Sequence, residues 1–203
     1  GIFAFTVMGS MALKLNKMIE GGKRYITGQI TVSPKGSGAE ALGGMTSGTL
    51  PVDTLNKIEK IEGVEAVAAG ISLLLTEPDP DNPSAASVNM GPPPSIMGMD
   101  TRSGFENRNW SDMPMLEGRL IGKDDPDNEI TIGHSIALDK KWKVGDEVEI
   151  RGKKFNIVGI IDKTMTGPDS YVMMQMTPAR ELFVESNPFL KSLKEKADQA
   201  GEI

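Results

Sequence analysis

Between residues 115 and 162 apolar and polar positions alternate in short runs. The period is two in EITI (129–132), in EVEI (147–150) and in KKFNIVGII (153–161), which predicts three short strands. On the last of these Phe155, Ile157, Gly159 and Ile161 are expected to share a face. Ile136, Ala137 and Leu138 fall in SIALDKKW, where the spacing predicts a turn or two of helix over 136–142, and Arg151-Gly152-Lys153 supplies a turn between strands. Gly118, Gly133 and Gly145 stand at junctions, where a backbone angle open mainly to glycine is commonly needed. In Val144-Gly145-Asp146 the carboxylate is placed to bond its own backbone two residues on.

Outside this β-rich module the pattern is looser. YITGQITVS (25–33) predicts a strand, and PVDTLNKIEKIE a helix with Pro51 in its first turn, Val52, Leu55, Ile58 and Ile61 on one face, and Gly63 as its stop. Strands are expected over 64–75, 95–100 and 170–176. Thr177-Pro178 is expected to cap a helix over 179–185, and Asn187-Pro188 to open a last helix with Phe189, Leu190, Leu193 and Ala197 turned inward. Met173, Met174 and Met176 read as core filling.

Residues 1–13 carry no charge and are followed by Lys14, Lys17, Lys23 and Arg24. Three readings fit: the end of a membrane helix, a helix packed on the core, or a signal-peptide core. The last lacks a preceding basic residue and a small-residue cleavage site. In the first, Ile2, Phe3, Phe5, Val7, Met8, Met11 and Leu13 face lipid. The membrane edge then falls near Lys14, because a central Lys costs about 3 kcal/mol of insertion. Thirteen residues are short of the roughly 20 a span requires, so the run is expected to be the stump of a longer one.

Composition narrows the function. The 203 residues carry a net charge of −6 and are 5% aromatic, which argues against a phosphate-tracking or base-stacking surface and hence against nucleic acid. There is no cysteine and one histidine, so thiolate chemistry and multi-histidine metal sites are excluded. The acidic loops at Asp79/Asp81 and Asp124/Asp125/Asp127 lack the glycine and terminal Glu of a calcium loop. GSGAEA at 36–41 matches a dinucleotide fingerprint in spelling, but Gly43, Gly44 and Gly48 interrupt the helix that must come next. His134-Ser135 invites a hydrolase reading, yet neighbouring side chains diverge, Ser135 reads as a helix cap, and no nucleophile elbow is present. No cofactor is expected.

The order of the pieces resembles the extracytoplasmic (periplasmic core) domain of MacB-type and FtsX-like ABC transporter permeases, including the lipoprotein-releasing LolC/LolE group. GIFAFTVMGSMALKL is similar to the outer end of the first membrane helix, and IEKIEGVEAV to the family's early helix and strand. Leu116-Glu-Gly118-Arg119, Ile132-Gly133, Val144-Gly145-Asp146 and the strand to Gly159 resemble its inserted small subdomain. The resemblance implies an α+β fold: residues 1–24 as membrane helix end and junction, 25–101 with 165–203 as a porter-like βαβ domain, and 102–164 as the β-rich insert.

It also implies a noncatalytic protein of the cell (inner) membrane, with this domain outside the cytoplasm. ATP would be hydrolysed by a separate cytoplasmic ATPase subunit or domain. A second permease protomer, the bilayer and an extracytoplasmic substrate or partner complete the implied contacts. The basic residues after position 13, taken alone, favour a cytoplasmic location for the remainder of the chain, the opposite side of the membrane. The alternative function is an anchored or secreted binding or adaptor module without transport.

Overall fold

A computed structural model describes residues 30, 32–34, 49–51, 53–76, 93–100 and 113–200. The expected strand over 25–33, the loop at 36–48 and the apolar run at 1–13 lie outside the described residues or nearly so. Helix α1 (Asp53–Glu59) is followed by strands β1 (Gly70–Leu74), β2 (Ser95–Met99), β3 (Met115–Gly118) and β4 (Glu129–Ile132). Then come α2 (His134–Lys140), β5 (Glu147–Ile150), β6 (Lys153–Ile161), a 3-10 turn (Gly167–Ser170), β7 (Tyr171–Gln175), α3 (Met176–Ser186) and α4 (Pro188–Ala200).

The strands form one mixed sheet in the order β1-β2-β7-β4-β6-β3, with β5 added on β6. β2 runs parallel to β7, and β4 parallel to β6; the other pairs are antiparallel. The sheet and its helices have the mixed α+β architecture expected from the sequence. Alternation along β7 shows why both faces are covered: Val172 and Met174 join one apolar cluster, with Ile96, Ile130, Ile132, Phe155, Ile157 and Leu182. Met173 joins the other, with Met99, Met113, Ile121 and Ile161. A strand buried on both sides has no polar face, and YVMMQ accordingly carries four buried residues of five.

Several local expectations need correction. Phe155, Ile157, Gly159 and Ile161 do not share a face. The register against β4 slips between Ile130↔Ile157 and Thr131↔Gly159, leaving Val158 as an extra residue. That bulge reverses the alternation, so Ile160 packs with Phe155 while Ile161 packs on the opposite side. The strand expected over 64–75 is regular only from Gly70, because the Ala69 N–H is taken by the Asp100 carboxylate at 2.9 Å rather than by a ladder.

The helices also differ from expectation. α1 buries no residue completely and ends before Ile61, which is exposed. In α2 Ile136 is buried and Ala137 packs beside it, but Leu138 faces out. α3 begins at Met176 with Gln175, not Thr177, as its N-cap residue. Asn187 does open α4, its Oδ1 accepting the N–H groups of Phe189 and Leu190 at 3.1 and 3.2 Å. Phe189 and Leu193, expected to turn inward, are 69% and 47% exposed.

Candidate functional site

At the β4/β7 seam the chain from 113–162 meets the chain from 171–175, and hydrogen bonds tie both of its ends. At one end, Gln175 is 6% exposed and donates from Nε2 to the carbonyls of Gly122 at 2.5 Å and Asp125 at 3.3 Å. The Asp125 carboxylate accepts the Gly122 N–H at 2.6 Å and bonds the Arg119 guanidinium. Arg119 reaches on to Glu129 at 2.5 Å. That bond to Glu129 is the main reason the Arg119 pKa lies above its ordinary value, with Asp125 adding to it against partial desolvation.

Thr131 is fully buried, so its hydroxyl must find partners inside the fold. It accepts the Ile121 N–H at 3.0 Å and donates to the Arg119 carbonyl at 3.1 Å, pinning the segment after β3 to β4. At the other end of the seam Gly133 donates its N–H to the Tyr171 carbonyl at 2.8 Å. A Cβ on Gly133 would stand 2.2 Å from the Pro168 carbonyl oxygen. Its φ is −76°, so close approach, and not a special backbone angle, requires glycine there.

Gly118 and Gly159 belong to the same construction. Gly118 has φ +70° and a Cβ on it would meet the Val158 carbonyl oxygen at 2.1 Å; one on Gly159 would meet that of Arg119 at 2.0 Å. The two glycines thus let β3 lie across the β6 bulge. Gly145 has φ +92° with open space around it, so its need is the backbone angle alone. Asp146 bonds backward, its Oδ2 accepting the Lys143 N–H at 2.9 Å, where the expected bond ran forward.

A second tie lies beside the seam. Asp169 is buried, and its carboxylate accepts the N–H of Thr164 and of Met165, each at 2.8 Å, and the Thr164 hydroxyl at 2.6 Å. This fastens the connection between β6 and the 3-10 turn. Tyr171, at the head of β7, is partly buried, and burial holds its pKa above the ordinary value.

No catalytic constellation is assembled among the described residues. Ser135 is exposed, and the buried Nδ1 of His134 has no hydrogen-bond partner, so neither a base nor an orienting carboxylate meets a nucleophile. No cluster of metal-ligating side chains is present among the described residues, and no described helix is long and apolar enough to cross a membrane. The membrane-segment residues Ile2, Phe3, Phe5, Val7, Met8, Met11 and Leu13 lie outside the described residues.

Of the residues that sequence patterning singles out, the structure gathers Gly118, Arg119 and Gly159 at the β3/β6 crossing and places Gly133 at the seam, with Gly145 and Asp146 at the turn before β5. Patterning does not find Gln175, Thr131 and Asp169. For Gln175 and Thr131 the one signal is a polar residue set among apolar neighbours in YVMMQ and EITI; Asp169, in TGPDSY, gives none.

The family described as MacB-like periplasmic core domain matches residues 1–200. Among solved structures, the extracellular domain of the noncanonic ABC-type transporter YknZ from Gram-positive bacteria is similar at 16% identity and a TM-score of 0.46. That match covers 66% of this chain and 66% of the other. The periplasmic region of MacB from Actinobacillus actinomycetemcomitans is similar at 12% identity and a TM-score of 0.40, covering 64% of this chain and 56% of the other. This chain therefore spans just under two thirds of the first and little over half of the second. No curated protein matches.

Proposed function

We propose, from the premise that this chain belongs to the family of MacB-like periplasmic core domains, that it is the outward arm of an ABC transporter permease. The family match over residues 1–200 is the observation that carries this reading. On it, ATP is hydrolysed by a cytoplasmic ATPase subunit or domain, the membrane helices of a permease dimer shift, and this domain passes the displacement to a substrate or partner outside the cytoplasm. The work asked of it is mechanical, and the tied sheet suits that work: a displacement is passed on only by elements that hold their mutual geometry.

On this reading residues 1–13 are the end of a membrane helix and residues 14–24 its junction to the domain. The domain then divides into a porter-like part (25–101 with 165–203) and an insert (102–164). The insert would then supply β3 to β6, and the porter-like part β1, β2, β7, α3 and α4. Arg119, Asp146 and the glycines at 118, 133, 145 and 159 would serve the shape of the insert and touch no substrate.

Met18→Pro tests the mechanical reading, because Pro breaks a helix by about 3 kcal/mol or more. In cells lacking the native permease, the variant should be expressed and folded, retain ATP turnover with its ATPase, and fail to restore the lost phenotype. Full restoration by Met18→Pro would count against a helical junction that carries motion.

A further inference from the structure

The geometry points to the β4/β7 seam as a rigid joint, locked at its ends by Gln175 and Gly133, that makes insert and porter-like part move as one body; the inference rests on the reading above. The strand ladder at the seam is short. β4 and β7 share three register pairs, Ile130↔Met174, Thr131↔Met173 and Ile132↔Val172. A ladder of three pairs leaves more freedom to rock than a longer one.

Gln175 removes that freedom at one end. Its buried amide is bonded to two carbonyls some fifty residues away in sequence, and the turn that offers them is held by Asp125 and Arg119. Rocking of β7 on β4 would pull the buried Gln175 amide away from both carbonyls, and a buried amide left without acceptors is costly. At the other end the Gly133 N–H holds the Tyr171 carbonyl, and Pro168 leaves no room for a side chain to slide past. Between the locks Ile130, Thr131, Ile132, Val172, Met173 and Met174 have no exposed surface at all. An apolar residue at 175 would fill the space as well; a glutamine there fixes position.

This chain has no cysteine, so in a permease whose remaining sequence is made cysteine-free spin labels attach only where one is introduced. Glu149→Cys on β5 and Arg180→Cys on α3 are exposed and lie on opposite sides of the seam. In the full-length permease in nanodiscs, pulsed dipolar spectroscopy should give one narrow distance, the same with and without a non-hydrolysable ATP analogue. Gln175→Leu should broaden it and raise hydrogen exchange at residues 122–125 about fivefold, the worth of a typical lost hydrogen bond. Should Gln175→Leu fail to fold, Gln175→Met keeps the unbranched length but has no donor, and the same broadening is expected.

A wild-type distance that shifts with nucleotide overturns the joint while leaving the transporter reading in place, since motion is then present but internal. A distance as narrow in the folded Gln175 variants as in wild type overturns it too. Failure of the transporter reading itself shows separately, when a membrane-impermeant maleimide reaches Glu149→Cys only after the inner membrane is broken open.

Discussion

Gly118 and Gly159 show how much a single hydrogen can decide. Each lies against the other's strand with a carbonyl oxygen near 2 Å from the place a methyl would occupy. Gly118→Ala and Gly159→Ala should therefore each cost about 3 kcal/mol, at the upper end for overpacking, whereas Gly122→Ala should stay within about 0.5 kcal/mol. Gly122 has ordinary φ and its nearest neighbour would be 3.7 Å away. Urea midpoints of the three variants check this. Thr131→Val leaves the Ile121 N–H buried without its acceptor and should cost about 1–3 kcal/mol by the same measurement.

Tyr171 makes the pH prediction at this scale. Burial raises its folded pKa, so its contribution is whole below the unfolded value and fades as pH climbs through the folded one. Stability should fall above about pH 10 and fall less in Tyr171→Phe; identical alkaline profiles would contradict the assignment. The glycines at 118, 133 and 145 are visible in the sequence as punctuation. Whether each serves an angle or a close approach is not, because that depends on which strand lies opposite.

Elements are legible where two faces differ and illegible where packing chooses. The β5–β6 hairpin is readable because Arg151 and Gly152, at φ 50° and 78°, form the turn that the pattern places there. The bulge at Val158 is not, since KKFNIVGII alternates equally well in either register until β4 is beside it. α3 and α4 carry similar apolar spacing, yet Leu182 is 1% exposed and Leu193 is 47% exposed. Leu182→Ala should cost about 2–5 kcal/mol and Leu193→Ala within about 0.5 kcal/mol.

α3 is also tied to β6 by Lys153, which meets Glu181 at 2.5 Å and Glu185 at 3.4 Å. The Lys153 bond, then its charge, draws the Glu181 pKa below the ordinary carboxylate value. That stabilisation is present above the unfolded carboxylate value and lost as pH falls through the lower folded one. Both partners are partly exposed, so a double-mutant cycle of Lys153→Met with Glu181→Gln should give less than about 1 kcal/mol, shrinking in high salt.

For the whole molecule, strand order lies beyond the sequence pattern. β2 and β7 pair across some seventy intervening residues, and nothing in SIMGM or YVMMQ names the other as partner. The early helix, the β-rich middle and the return strand with its helix are readable in their sequence order. Their closure into one sheet is not, because the locks at Gln175 and Gly133 act between residues far apart. Family membership is readable because the order and spacing of weak motifs, over nearly the whole chain, are more specific than any one of them.

An outward arm requires the tied sheet to lie outside the cytoplasm. Glu149→Cys gives the full-length permease one reactive thiol on an exposed position of β5, provided the rest of the polypeptide is cysteine-free. In intact cells or, behind an outer membrane, in spheroplasts, a membrane-impermeant maleimide should label it fully without detergent. Labelling that appears only after the inner membrane is broken open would place the domain in the cytoplasm and contradict the permease reading.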